Sequence, residues 1–173
     1  MIKSQRLTLR PIALENARRV FAYRSDAESN KYQGWIPKTL EEVVGFINKN
    51  PETFNVNNSW FQLVIIDNAT AQLIGDVGVH FVDDEQCEVG CTINKEYNQK
   101  GFAKEALKAT IDYLFHDLNK HRITASVDPR NTASVALMKS LGFRLEAHHI
   151  KSLYFKNEWV DDVVFAVLKE EWA

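Results

Sequence analysis

The sequence predicts an α/β (α+β) fold: a mixed, mostly antiparallel sheet flanked by about four helices. Three observations lead there. Strand-like apolar runs recur along the chain, and helical stripes separate some of them. One strand–helix–strand unit, Cys87 through Val127, also has the length of a parallel right-handed crossover. No repeat, low-complexity run or linker interrupts the 173 residues, so 1–173 reads as a single domain large enough to bury a real core.

The elements follow in order. "RLTLRPI" (Arg6 to Ile12) alternates in polarity and closes at Pro11, as a strand does. Leu14, Ala17, Val20 and Phe21 share one face of a helix over residues 14–24. The second helix opens with Thr39 as N-cap and Glu42 three residues on, and it stops before Pro51. "SWFQLVIID" and "QLIGDVGVHFV" flank "DNATA" as a hairpin, and "QCEVGCTI" follows the acidic turn Asp83 to Glu85, completing an antiparallel meander. A helix of about 15 residues begins at Gly101 with Ala103, Leu107, Ile111, Leu114 and Leu118 along one stripe. "HRITASVD" is a strand. "NTASVALMKSLGF" is a helix with Asn131 as N-cap and Gly142 suited to the left-handed position after its end. "RLEAHHIKSLYF" and "EWVDDVVFAVL" pair around the turn "KN".

Composition narrows the function classes. With 45% hydrophobic and 25% charged residues the chain reads as soluble and globular, which argues against extended disorder. A net charge of −2 offers no general attraction to nucleic acid or to an anionic membrane. No apolar run approaches the ~20 residues of a membrane span, and the N-terminal stretch lacks a signal-peptide h-region, so a cytoplasmic location is expected. Cys87 and Cys91 lie four residues apart on one strand. That separates them by ~13 Å, beyond disulfide reach, and they read as two small apolar side chains. His80, His116, His121, His148 and His149 show no metal-ligand spacing, and no metal site is expected.

The segment Asn98 to Lys104, "NQKGFAK", runs a chain-reversing stretch straight into a helix. Free amides at a helix start, with the positive end of the dipole, form an anion site. Gly101 permits close backbone approach, and Lys100 and Lys104 add charge. The competing reading is that Gly101 only eases a tight turn. The spacing is neither that of a P-loop nor that of a Rossmann loop.

"NQKGFA" (98–103) is similar to the Arg/Gln-x-x-Gly-x-Gly/Ala pyrophosphate loop of the GNAT superfamily of acyl-CoA-dependent N-acetyltransferases. It matches at Gly101 and Ala103, with Asn98 at the first position. The helix continues with "KEAL", and "NTASVALMKSLGF" resembles the Asn-x-x-Ser…Gly-Phe helix of the RimJ/RimL-like branch. "RLTLRPI" and "DVVFAVLKEEW" resemble that branch's end segments. The resemblance covers essentially the whole chain, in the family's order.

That resemblance implies acetyl-CoA as co-substrate, held by Asn98, Gln99, Lys100, Gly101, Phe102, Ala103 and Lys104. The pantetheine would run along Val89, Cys91 and Ile93 of a splayed strand and meet Asn131 and Ser134. It implies acetyl transfer to a primary amine, a protein N-terminus or a small amine, by direct attack in a ternary complex with no metal. A homodimer is compatible with it. Alternation places Glu88, Gly90 and Thr92 on one strand face and Cys87, Val89, Cys91 and Ile93 on the other, which makes Glu88 the candidate base; a solvated edge carboxylate is the competing reading. Asp76 and His80 are weaker candidates. Many family members carry a Tyr where this chain has Met138, which cannot donate a proton. The resemblance to the RimL-like pattern implies Ser134, one turn earlier, as the candidate acid in its place, with helix capping as its alternative role. Asn131 also serves as a cap. Tyr32 and Trp35 lie between the first two helices, where the family's acceptor site usually is, and are candidate substrate contacts. Met138 and Asn98 leave open a non-catalytic acyl-CoA-binding or sensing module.

Overall fold

Each strand expected from polarity alternation forms, and together they make one sheet. The computed structural model describes all 173 residues. The strands are β1 (Ile2–Lys3), β2 (Leu7–Pro11), β3 (Ser59–Asp67), β4 (Gln72–Phe81), β5 (Gln86–Ile93), β6 (Arg122–Val127), β7 (Arg144–Phe155) and β8 (Glu158–Leu168). The helices are α1 (Ala17–Arg24), α2 (Leu40–Asn48), α3 (Phe102–His116) and α4 (Thr132–Ser140). The sheet runs in the order β1-β2-β3-β4-β5-β6-β8-β7. Every neighbouring pair is antiparallel except β5 and β6, which are parallel and joined through α3.

Local chemistry accounts for most boundaries. Thr39 accepts the Glu42 N–H, while the Glu42 carboxylate accepts the Lys38 N–H rather than that of the cap itself. Asn131 accepts the Ser134 N–H at the start of α4, and Gly142 ends it at φ +85°. Lys156 and Asn157, both at positive φ, turn β7 into β8 as a two-residue hairpin requires. Two details have no local signal. β1 pairs Ile2 with Leu9 and Lys3 with Thr8 along the edge of β2. The first helix opens as a 3-10 turn, Leu14–Asn16, because the Asn16 side chain accepts the Ala13 N–H, so α1 starts only at Ala17.

Apolar side chains leave the sheet on both faces. The larger cluster lies between the sheet and α3 and α4 and includes Leu63, Val79, Val89, Leu107, Ile123 and Phe165. The smaller one lies under α1 and α2, around Val20, Val43, Val64 and Leu73. A buried polar cluster ties α1 to this second face. Asp76 of β4, 1% exposed, accepts the Tyr23 hydroxyl and both Arg24 Nη2 and Nε, at 2.6 and 3.0 Å. Desolvation opposes the Arg24 charge, but the Asp76 carboxylate outweighs it and holds the guanidinium charged. Burial, reinforced by Asp76, raises the Tyr23 hydroxyl well above its ordinary value, so it stays a donor. The Arg24 guanidinium also stacks over Trp35 and Phe46, at 5.6 and 5.7 Å. One charge pair thus orders α1, α2 and the loop between them.

Removing one partner of this pair strands the other in the core. Asp76→Ala is expected to lower the unfolding free energy by about 3–5 kcal/mol, read from urea denaturation, with little change in the denaturant slope.

Candidate active site

The parallel contact between β5 and β6 is brief. It covers Gln86–Arg122, Cys87–Ile123 and Glu88–Thr124 and then stops. β5 nevertheless stays paired with β4 as far as Ile93, and β6 with β8 as far as Val127. The two central strands therefore diverge beyond Glu88, and the β6-facing backbone of Val89 to Ile93 has no ladder partner. Unpaired backbone in a protein interior calls for a partner. A slot of ≈ 90 Å³ fills the divergence, lined by Val89 to Cys91, by Ala125 to Val127, and by Ser134, Leu137 and Met138 of α4.

The segment after β5 gathers backbone amides that have no partner. Asn94 caps a 3-10 turn, Lys95–Tyr97. Gln99 (φ +61°) and Gly101 (φ +79°) then adopt left-handed conformations on either side of Lys100. Such a reversal directs successive N–H groups into one concavity. The amides from Gln99 to Lys104 donate to nothing within the protein, and the first bond of α3 is Glu105 N–H to Gly101 O at 3.0 Å. A Cβ at Gly101 would meet only Arg6 Nη2, at 3.4 Å, so the positive φ, not lack of space, is what calls for glycine. A cleft of ≈ 430 Å³ runs from this nest along Cys91 to Ile93 and past Ser134 and Leu137. It shares Gln33, Cys91, Ser134 and Leu137 with the slot, which makes one continuous channel. Bare amides at the wide end and a narrow forked end fit a pyrophosphate followed by a thin chain able to pair with β5.

A brace from the far edge of the sheet holds the nest. Arg6 donates from Nη1 to Lys100 O at 3.0 Å and from Nε to Glu105 Oε2 at 2.6 Å, and its guanidinium lies 4.4 Å from the Phe102 ring centroid. The Arg6 N–H and the Ser4 hydroxyl both reach Glu105 Oε1, at 2.7 Å. Partial burial works against ionisation of Glu105, but the hydrogen bonds from Ser4 and Arg6 prevail and keep it below the usual carboxylate range. The carboxylate is thereby consumed by its partners. Neither Arg6 nor Glu105 carries a local signal for this role, because their partners lie 94 to 101 residues away.

The other singled-out residues fall at distinct places. Val89, Cys91, Ile93, Asn98, Gln99, Gly101, Phe102, Ala103, Lys104, Asn131 and Ser134 all line the channel. Lys100 gives its carbonyl to Arg6 and rests its ammonium 5.6 Å from the Tyr97 ring. Ser134 uses its N–H on Asn131, while its hydroxyl makes no hydrogen bond within the protein. Met138 is buried against the slot. Glu88 sits on the opposite sheet face, 32% exposed and 3.9 Å from His80 Nδ1, with Trp60 stacked on the imidazole. Burial raises the Glu88 carboxyl above its usual range, the nearby His80 only partly opposing it. Tyr32 lines the slot beneath Arg130, which Asp128 and Glu158 hold in place. Trp35 instead packs 4.6 Å from Phe46 and faces a separate hollow beside Phe155. The cysteines are both free; burial pushes the Cys87 thiol up to about 11 and the Cys91 thiol further, so both stay protonated at neutral pH. No helix is long and apolar enough to cross a membrane.

Comparison with known proteins bears on this geometry. The model of the acetyltransferase (GNAT) domain matches residues 6–144. An uncharacterized N-acetyltransferase, YnaD, of Bacillus subtilis is 34% identical over 175 residues, covering 99% of this chain and 98% of the relative. The Escherichia coli [ribosomal protein uS5]-alanine N-acetyltransferase is 30% identical over 79% of this chain and 70% of its own. A crystal structure of a GNAT-family acetyltransferase from Bacillus anthracis superposes with a TM-score of 0.89 at 32% identity, covering 98% of this chain and 99% of that one. The forked strands and the bare amide nest thus sit within an extended and nearly full-length likeness, and the chain belongs to the GNAT acetyltransferase family.

Proposed function

We propose that the chain transfers acetyl from acetyl-CoA to a primary amine by direct attack in a ternary complex. The observation that carries this reading is the continuity of the bare amide nest at Gln99 to Lys104 with the slot between β5 and β6. When bound, acetyl-CoA supplies an activated thioester. The nest and the α3 dipole hold its pyrophosphate, and the free backbone edge of Val89 to Ile93 with Asn131 orients its pantetheine. N–H groups on that edge polarise the carbonyl. Glu88, held at a raised pKa by burial, accepts the proton of the incoming ammonium through water. The free Ser134 hydroxyl donates to the departing thiolate. Tyr32 forms the lip of the acceptor side, and Trp35 acts from behind it through its packing on Arg24 and Phe46.

The likeness to an alanine N-acetyltransferase supports the RimJ/RimL-like branch and a protein N-terminus among the acceptors. We read residues 1–173 as one functional domain, acting in the cytoplasm where acetyl-CoA is supplied, and no step of the proposed chemistry calls for a metal.

Four measurements test the reading. CoA and acetyl-CoA are expected to raise the melting temperature while ATP does not, and thiol release from acetyl-CoA is expected with a panel of short peptides and amines. Stabilisation by CoA with no thiol release on any amine would identify a binding module instead. Arg6→Ala is expected to raise KM for acetyl-CoA about tenfold, the cost of roughly one charged hydrogen bond, with a smaller change in kcat. Glu88 works only when deprotonated, so activity is expected to fall as pH drops through its raised pKa. Glu88→Gln is expected to lower kcat by about 10²-fold or more and to flatten that acid limb. Full activity with an unchanged pH profile would remove Glu88 from the mechanism.

A further inference from the structure

On the face of the sheet that carries Glu88, three strands present a row in which two of the three positions are glycine. Gln62 of β3 pairs with Gly78 of β4, and Gly78 pairs with Gly90 of β5. One flank of this row is Trp60, His80 and Glu88, and the other is Val64, Asp76 and Thr92. The Gln62 carboxamide lies over Gly78; a Cβ there would stand 2.8 Å from its Nε2 and 3.2 Å from its Oε1. A Cβ at Gly90 would meet nothing within 4 Å. Gly78 therefore makes room for the carboxamide, and Gly90 leaves an open floor leading to the fork.

The carboxamide is also idle. Gln62 Oε1 is the only buried side-chain polar atom in the chain without a hydrogen-bond partner. An unsatisfied buried acceptor costs ~1–3 kcal/mol, and Val64, two residues along the same face, is apolar and packed. The group lies about one strand spacing, ~4.8 Å, from Gly90, and Glu88 lies two residues from Gly90, ~6.8 Å along β5. The neighbouring Asp76 is already committed to Tyr23 and Arg24. Glu88, with His80 beside it, therefore meets an acceptor on this floor from one flank, Thr92 borders the other, and Gln62 stands across Gly78 from Gly90.

We infer that the Gly78–Gly90 floor is the acceptor track and that Gln62 selects primary amines carrying a second N–H donor a few bonds from the reacting nitrogen. This rests on the acetyl-transfer reading above. The reacting amine lies at Gly90 between Glu88 and the fork, and the second N–H donates to Gln62 Oε1, with a rotation of the carboxamide presenting its oxygen to the track. Peptide N-termini and diamines share this chemistry. Gln62 is a specificity-determining residue, not a member of the proton-transfer machinery.

The test compares kcat/KM for n-butylamine, 1,4-diaminobutane and an alanyl-alanine amide in the unmodified chain, Gln62→Leu, Gln62→Glu and Gly78→Ala. In Gln62→Leu, butylamine is expected to stay within about twofold while the diamine and the peptide each fall about tenfold, one hydrogen bond's worth. Gly78→Ala is expected to reproduce that pattern by displacing the carboxamide. Gln62→Glu keeps an acceptor and adds charge. A diamine-selective rise identifies a cationic second donor, and an unchanged peptide rate identifies a neutral one. Melting temperatures exclude simple unfolding. Equal losses on all three amines, or no loss on any, overturn the track. Absence of thiol release with every amine in the unmodified chain overturns the transfer reading itself, which separates the two failures.

Discussion

The site depends on an interrupted parallel contact. β5 and β6 share only three residue pairs before diverging, although each continues for several residues with its other neighbour. Such a split is costly unless both halves are held from outside. β4 and β8 supply that support, and α3 and α4 fill the space behind the divergence with Leu107, Leu137 and Met138. The result is a stretch of backbone from Val89 to Ile93 that is rigid and still has hydrogen-bonding capacity to offer. A chain able to pair as a strand does is the natural complement of such an edge.

The same logic governs the loop that follows. A helix N-terminus normally recruits a side chain to satisfy its amides, whereas α3 begins on a left-handed glycine with no cap. What stabilises the loop is long-range. Arg6, Ser4 and Glu105 knit the N-terminal segment to the first turn of α3, and Arg6 fastens the Lys100 carbonyl. Glu105 places a negative charge beside the bare amides of the nest, and three donors from Ser4 and Arg6 consume it. The nest is thereby kept open without being filled.

The two faces of the sheet divide the labour. The channel from the nest to Ser134 lies against α3 and α4, whereas Glu88, His80, Trp60 and Gln62 occupy the face toward α1 and α2. Gly90 belongs to both, since it lines the slot and leaves the opposite floor open. In the proposed reaction, donor and acceptor approach this one backbone position from opposite sides, as direct transfer requires. The Tyr23–Asp76–Arg24 cluster matters at a distance, because it seats the α1–α2 loop whose Asn30, Tyr32 and Gln33 close the channel.

The sequence by itself determined whatever short-range chemistry controls. Alternation and capping located seven of the strands and all four helices; the strand–helix–strand unit marked the parallel pair; Gly142 announced its left-handed conformation, whereas Gly101, expected for close backbone approach, takes a positive φ that its neighbours in sequence did not announce. The residues of the nest and the fork were likewise legible, because a helix start and a mid-strand glycine are local patterns. Tertiary structure alone decided what depends on distant partners. β1 is too short to carry a period of its own and exists by pairing with β2. Trp35, an aromatic in a polar loop, turned inward because Arg24 and Phe46 offered it a better surface than solvent. The Arg6 brace and the idle Gln62 amide over Gly78 each join residues whose neighbours in sequence say nothing of one another. Periodicity and capping report on a few consecutive residues, while register and charge pairing are set only when the whole sheet closes.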